Sequence, residues 1–100
     1  MRRVELTEEA RQNLKDIFLY IAEEGYPDRA EKQVRVLMKQ CDVLALSPKI
    51  GTKRNVQGYE TRMFSVSGIN IYYQFDDECL VVYSFYHGRR NPDDVIIRFP

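Results

Sequence analysis

Apolar residues recur at helical spacing in the first half of the chain and alternate with polar ones in much of the second half. One helical stripe predicts a first helix over residues 8–23, and its members are Ala10, Leu14, Ile17, Phe18 and Ile21. Thr7 is expected to cap this helix, because its hydroxyl can accept a bond from a free N–H of the first turn. Gly25 is expected to end the helix, and Tyr26-Pro27 to turn the chain.

A second stripe predicts a helix over residues 28–46, formed by Ala30, Val34, Leu37, Cys41 and Leu44. Asp28 and Glu31 have the spacing of a capping box at its start, and Ser47-Pro48 is expected to end it. Because the connection between the two helices is short, they are predicted to form an antiparallel hairpin.

Alternating residues predict four strands, at residues 2–6, 59–66, 69–75 and 79–86. Ser67-Gly68 between the second and third of these is typical of a tight hairpin turn, and residues 48–58 are predicted to be a polar loop. The pattern therefore predicts one α+β domain over residues 1–100. Its order is β-α-α-β-β-β, with an antiparallel helix hairpin packed on an antiparallel sheet.

The last predicted strand is apolar on both faces, with Val81, Tyr83 and Phe85 on one and Leu80, Val82 and Tyr86 on the other. Such a strand requires cover on both faces. The helix hairpin can cover one face. The other is expected to be covered either by the chain's own tail or by another molecule.

Three apolar helix residues project roughly opposite the core stripes: Leu19, Val36 and Val43. Single exposed apolar residues are ordinary on protein surfaces. Three of them on one hairpin are also consistent with the surface of a dedicated partner. Both interpretations stay open from the sequence.

Composition is that of an ordinary globular domain, with 44% hydrophobic and 30% charged residues among 100. The 15 basic and 15 acidic residues cancel, so net charge indicates no class of partner. Residues 49–62 have a small excess of positive charge, which is weak for a nucleic-acid-binding surface.

The two cysteines, Cys41 and Cys79, fall within apolar patterns and are predicted to be reduced core thiols. No spacing of metal ligands occurs, so neither a metal nor another cofactor is expected. With no apolar signal core at the N-terminus and no run of membrane-spanning length, the sequence predicts a soluble cytoplasmic protein.

Two motifs follow one another in the second half of the chain. "GYETRMFSVSGINIYYQF" contains a spaced set formed by Gly58, Arg62, Phe64, Val66, Ile71 and Tyr73. "FYHGRRN" contains His87, Gly88 and Arg90, with Arg89 between the last two and Asn91 after them. These motifs and the order of elements, over about residues 4–92, resemble the ParE/RelE superfamily of toxins from bacterial type II toxin–antitoxin operons. The ending is closer to the ParE form, His-Gly-x-Arg-Asp, in which Asp stands where this chain has Asn91.

The resemblance implies a non-enzymatic toxin that traps DNA gyrase on cleaved DNA and is neutralised by a cognate antitoxin. It also implies that Arg62, His87 and Arg90 form a cationic corner beside an aromatic wall. The target is then expected to contact Arg62, His87, Arg89 and Arg90. The antitoxin is expected to form a heteromeric complex in which it wraps the helix hairpin, at Leu19, Val36 and Val43, and the sheet face that the helices leave uncovered. No contact with a membrane and no sequence-specific DNA binding by this chain are expected.

Two alternatives remain open. The RelE branch cuts messenger RNA on the ribosome without a metal, and here Lys53, Arg54, Arg62 and His87 could serve as its catalytic residues. No tyrosine follows His87 in the tail, which favours the ParE branch. An inactive family member that acts only as a binding module is the second alternative.

Simpler roles also remain open for the histidine and the two arginines that follow it. His87 could act as a general acid or base, because an unperturbed imidazole titrates near neutral pH, or it could be only a structural hydrogen-bonding group. Arg89 and Arg90 could bind an acidic surface, or one of them could pair with Asp93 or Asp94.

Overall fold

The computed structural model describes residues 1–89 and 95–99. Within these residues the chain forms two α-helices, a single 3₁₀ turn and five strands. They are β1 (Arg3–Leu6), α1 (Glu8–Glu23), α2 (Pro27–Leu46), the 3₁₀ turn (Pro48–Ile50), β2 (Thr52–Val56), β3 (Tyr59–Val66), β4 (Ile69–Phe75) and β5 (Cys79–His87). The predicted α+β class, with a helix hairpin packed on a sheet, is confirmed.

The sheet is mixed rather than wholly antiparallel. Its strand order is β1-β5-β4-β3-β2, and β1 runs parallel to β5 while the other neighbours are antiparallel. The prediction of an antiparallel sheet is wrong for β1. The chain crosses from β1 to the rest of the sheet through the helix hairpin, and such a long crossover is compatible with a parallel pair.

Strand β2 lies in the segment that the sequence predicted to be a loop, so that prediction is wrong for residues 52–56. Four of its five residues are exposed and only Val56 is buried, so no alternation marks it as a strand. Its extended backbone instead follows from antiparallel pairing with β3 at the edge of the sheet.

The helix ends follow the sequence except at the start of α2. Thr7 Oγ1 accepts a hydrogen bond from the Ala10 N–H at 3.1 Å, as predicted. The predicted capping box at Asp28 is wrong, because Tyr26 occupies the N-cap position without a side-chain bond and Pro27 is already helical. Proline is favoured at the first helical position, since its fixed φ suits a helix and its missing N–H needs no partner there.

The main core lies between the helix hairpin and one face of the sheet. Its buried members are Ala10, Leu14, Ile17, Leu37, Cys41, Leu44, Ala45, Ile69, Ile71, Tyr73, Leu80, Val82 and Phe85. Most residues of the predicted helix stripes belong to this core or pack against it, including Leu14, Ile17, Leu37 and Leu44. Ala30 is buried but is not part of this core, and Phe18 and Val34 are only half-buried. Both cysteines are buried and free, as predicted, and burial followed by the charge of Asp42 raises the pKa of the Cys41 thiol to about 12.

A bulge in β5 changes which side chains share a face. Tyr72 is paired with Ser84 but the next residue, Tyr73, is paired with Val82, so Tyr83 is an extra residue in the ladder. Phe85 consequently packs in the helix-side core and Tyr86 on the other face. The predicted faces are correct before the bulge and wrong after it, because one extra residue inverts the alternation.

The second face of the sheet is covered by the chain's own C-terminal segment. Val95 and Ile97 are buried there beside Val56, Tyr72 and Tyr83. Of the two covers that the sequence left open, the tail is the one observed. None of the described helices is long and apolar enough to cross a membrane.

Candidate functional site

Arg62 on β3 is fixed to the loop that follows α2. Its Nη1 donates to the carbonyl oxygens of Lys49 at 3.1 Å and Gly51 at 2.8 Å. On the adjacent strand Tyr73 donates its hydroxyl to Pro48 O at 2.6 Å and accepts from the Gly51 N–H at 3.1 Å. Arg62 and Tyr73 face each other across the β3–β4 ladder, so together they hold the 3₁₀ turn against the sheet.

Three cations surround this end of the sheet. The guanidinium carbons of Arg62 and Arg2 lie 5.9 and 5.4 Å from the ring centre of Phe75. Arg2 also donates hydrogen bonds to Asp76 O at 2.6 Å and to Ala45 O at 3.2 Å. Ala45 lies at the C-terminal end of α2, where the helix dipole favours a cation. Lys53 stands directly opposite Arg62 on β2. We call Arg2, Lys53 and Arg62 the Phe75 cluster.

Arg54 belongs to the other face of the sheet. It pairs with Thr61, one position along from the Lys53–Arg62 pair, and successive side chains of a strand point to opposite faces. Its charge is near Tyr72, whose pKa is raised chiefly by burial and lowered in part by Arg54. Lys53 and Arg54 are therefore separated by the sheet.

His87 and Arg89 lie at the opposite end of the sheet from the Phe75 cluster. His87 ends β5 and meets Tyr20 of α1 edge to face, with ring centres 6.4 Å apart. A groove of about 680 Å³ runs between the helices and the β3–β4 turn, and its lining includes Tyr20, Gln33, His87 and Arg89. Both His87 and Arg89 are exposed. We call this the His87 groove.

The tight turns beside the His87 groove fix its shape. Ser67 and Gly68 both have positive φ, of 51° and 76°, as the hairpin predicted from Ser67-Gly68 requires. The Gly88 N–H donates to Gly68 O at 2.8 Å, and a Cβ on Gly88 would lie 3.3 Å from that same oxygen. Gln33 Nε2 of α2 donates to Ser67 O at 3.2 Å. The end of β5 is thereby held to the hairpin turn.

The structure does not bring Arg62 and His87 together, so the predicted cationic corner is wrong in that respect. Arg62 is opposite Tyr73 on β4, whereas His87 is opposite Ile69. Four residues along a strand correspond to about 13 Å. The aromatic neighbours also differ, since Arg62 is beside Phe75 and His87 is beside Tyr20.

Arg90 and Asn91 lie outside the described residues, as do Asp93 and Asp94. Ion pairing of Arg89 or Arg90 with those aspartates therefore stays a prediction. In the part of the chain that the structure describes, the ion pairs join Arg3 to Glu5, Arg35 to Glu31 and Lys53 to Glu60, and none involves Arg89.

The outer helix face is partly apolar, as the sequence predicted. Leu19 and Val43 are each 41% exposed and Val36 is half-buried. Sequence reasoning did not single out Tyr20, Leu46 or Ile50, which are also exposed large side chains. The position of Tyr20 in the sequence, just outside the core stripe and next to Leu19, could have indicated that its side chain is exposed.

The described residues contain no group of three or more His, Cys, Asp or Glu side chains placed to hold a metal ion. Asp16 does not line the His87 groove but a separate, smaller pocket of about 310 Å³ beside it, together with His87, Phe85 and Tyr86. Its Oδ1 accepts a hydrogen bond from Gln12 Nε2 at 2.8 Å. Burial is the main cause that raises the pKa of the Tyr73 and Tyr83 phenols above its usual range.

Comparison with known proteins identifies a family and a similar solved structure. A family model described as the ParE toxin of the type II toxin–antitoxin system parDE matches residues 4–92. A solved structure, from the chromosomal ParDE TA system of P. aeruginosa, is similar at a TM-score of 0.73 and 16% identity, covering 87% of this chain and 96% of that chain. Curated protein sequences contain no match to this chain. The family match includes both helices and all the described strands except the first residue of β1, Arg3, and it ends before residues 95–99.

Proposed function

The chain belongs to the ParE toxin family of type II toxin–antitoxin systems, and from that membership we propose that it inhibits DNA gyrase by binding rather than by catalysis. A cognate antitoxin neutralises it by covering the outer helix face. Gyrase works on chromosomal and plasmid DNA, so the cytoplasm is the compartment in which such a toxin acts.

The separation of the basic residues is the observation that favours a binding toxin over a ribosome-dependent nuclease. Cleavage of RNA by general acid–base chemistry needs its proton-transfer groups within hydrogen-bond reach of one phosphodiester. Lys53 and Arg62 are neighbours, but Arg54 is on the other face of the sheet and His87 is at its other end. These four residues do not converge on one substrate atom.

We place the target contact at the His87 groove. Arg89 and His87 are exposed there, beside the exposed ring of Tyr20, whereas Arg62 already uses its guanidinium on two main-chain carbonyls. An exposed arginine next to aromatic side chains is typical of the energetic centre of a protein–protein contact. Arg90 follows in sequence and is included in the proposed contact.

Purified protein is expected to inhibit gyrase-driven supercoiling and to leave ribosome-bound messenger RNA uncut. Arg89→Ala should raise the concentration needed for half-inhibition by about tenfold or more, because a charge-assisted anchor at an interface is lost. His87→Ala should raise it less. A supercoiling assay with each variant, and primer extension on messenger RNA from a translating extract, provide the two measurements.

Arg35→Ala is the matched control for this experiment. It removes one exposed arginine from α2, where its ion pair with Glu31 contributes little, and should leave inhibition unchanged. Cuts in messenger RNA that disappear with His87→Ala would contradict the proposal and support the nuclease alternative. Activity on neither target would support the inactive binding module.

Antitoxin binding is expected to depend on the outer helix face. Changing Val36 and Val43 together to Glu should weaken the complex at least tenfold, because two charges would have to be desolvated in an apolar contact. The double change Val36→Thr/Val43→Thr keeps side-chain shape without charge and should weaken binding less. Isothermal titration with the antitoxin, with circular dichroism to confirm the fold, measures this. Equal affinity for all three proteins would place the antitoxin elsewhere.

A further inference from the structure

The face of the sheet opposite the helices is apolar and aromatic, and within residues 1–89 and 95–99 one short segment covers it. The residues of this face are Val56, Met63, Tyr72, Val81, Tyr83 and Tyr86. The segment that lies on them is 95–99, which we call the C-terminal strap. Its Val95, Ile97 and Phe99 complete the second core together with the residues of this face.

The strap lies on the sheet with alternate side chains turned inward. Val95 is 5% exposed and Ile97 is 1% exposed, whereas Ile96 between them is 67% exposed. Arg98 is exposed and Phe99 is half-buried, so the alternation continues to the end of the segment. An extended peptide with the pattern apolar-x-apolar-x-aromatic produces this arrangement.

Side chains from other elements, rather than a neighbouring strand, hold the main chain of the strap. Tyr86 Oη donates to Ile96 O at 2.8 Å, and the Ile97 N–H donates to Gln57 Oε1 at 2.6 Å. Gln57 lies in the β2–β3 turn, where its φ is positive at 54°. Proteins that bind extended peptides use hydrogen bonds to the peptide main chain for affinity, which do not depend on its sequence. They use separate pockets for alternate side chains for specificity.

The last inward side chain enters an aromatic slot. Phe99 stacks on Tyr59 with ring centres 4.2 Å apart and packs against Tyr83 at 4.9 Å. Tyr83 is itself held by a hydrogen bond from its hydroxyl to Gln74 Oε1 at 3.1 Å. The slot is therefore built from residues that are fixed by the sheet, and it selects an aromatic residue at this position of the peptide.

The strap lies beyond residue 92, where the match to the family model ends. We propose that this sheet face is a peptide-binding groove for an extended apolar-x-apolar-x-aromatic segment, and that the chain's own C-terminus occupies it in cis. A partner protein with a segment of that pattern then binds here only by displacing the strap. This inference does not depend on gyrase or on the antitoxin.

Competition between a free peptide and the strap tests the proposal in the full-length chain. The probe is a fluorescently labelled peptide with the sequence of residues 95–100, VIIRFP, followed by fluorescence anisotropy. Wild-type protein should bind it poorly, because a tethered segment competes at an effective concentration near the millimolar range. Phe99→Ala weakens the strap and should bind the peptide at least tenfold more tightly than wild type.

Two controls test whether the inward side chains of the strap matter. Ile96→Ala removes an exposed side chain and should leave peptide binding as weak as in wild type. A peptide in which alanine replaces its phenylalanine should bind Phe99→Ala protein at least tenfold more weakly than the unchanged peptide. Should Phe99→Ala fail to fold by circular dichroism, Phe99→Leu replaces it and must still bind more tightly than wild type. Equal binding by wild type and the strap variant, or by the two peptides, would overturn the proposal.

Discussion

Replacing Gly51 by alanine is expected to lower the free energy of unfolding by about 3 kcal/mol, through a steric clash in a well-packed interior. Gly51 has φ of −72° and ψ of 155°, a conformation that any residue adopts, so backbone strain is not the reason. A Cβ at this position would instead clash with Tyr73 Oη and lie 2.9 Å from Tyr73 Cζ. Urea denaturation followed by circular dichroism measures the loss.

Tyr73→Phe is the partner change that identifies the cause. Alone it should cost about 1–3 kcal/mol, because Pro48 O and the Gly51 N–H lose their buried partner. In the Gly51→Ala protein the same change removes the clashing hydroxyl and should cost much less. The two changes are therefore expected to be strongly non-additive in a double-mutant cycle. Simple additivity would show that Gly51 and Tyr73 do not constrain each other.

Both helices and four of the five described strands could be predicted from the sequence, because the spacing of their apolar side chains reflects burial. The α1 bounds of Glu8–Glu23, and those of β3 and β4, agree with the apolar spacing. Strand β2 could not be predicted, because its residues are exposed and its form is imposed by pairing with β3. The bulge at Tyr83 was equally hidden, since an extra residue in a ladder depends on the partner strand and leaves no pattern of its own.

The sequence could suggest candidate site residues but could not predict how the fold arranges them. Arg62 and His87 are notable in the sequence for their charge and position, and both lie at the ends of the sheet. Their separation is set by strand register, which places one opposite Tyr73 and the other opposite Ile69. Arg2 joins Arg62 beside Phe75 only because β1 pairs with β5, a contact between distant parts of the chain.

Arg62→Met is expected to lower the free energy of unfolding by about 2 kcal/mol, although Arg62 is a half-exposed cation on a sheet. The change keeps an extended side chain but removes the donor that binds Lys49 O and Gly51 O. Hydrogen bonds from a charged group contribute about 1.5–3 kcal/mol, and the Gly51 carbonyl is left in a partly buried position. Denaturation by urea measures the change in stability.

Lys53→Met is the matched control, because Lys53 stands directly opposite Arg62 and the substitution removes the same charge. Among the described residues, Lys53 forms one ion pair, with Glu60 at 3.7 Å, and the two side chains are 68% and 75% exposed. Stability should therefore change by less than about 0.5 kcal/mol. If the role of Arg62 is to hold the 3₁₀ turn against the sheet, the Arg62→Met protein should lose the proposed gyrase inhibition only under conditions in which that protein also unfolds. A loss of inhibition at full stability would instead make Arg62 a contact of the target. An equal loss of inhibition in Lys53→Met would show that the target contacts the positive charge of the Phe75 cluster as a whole.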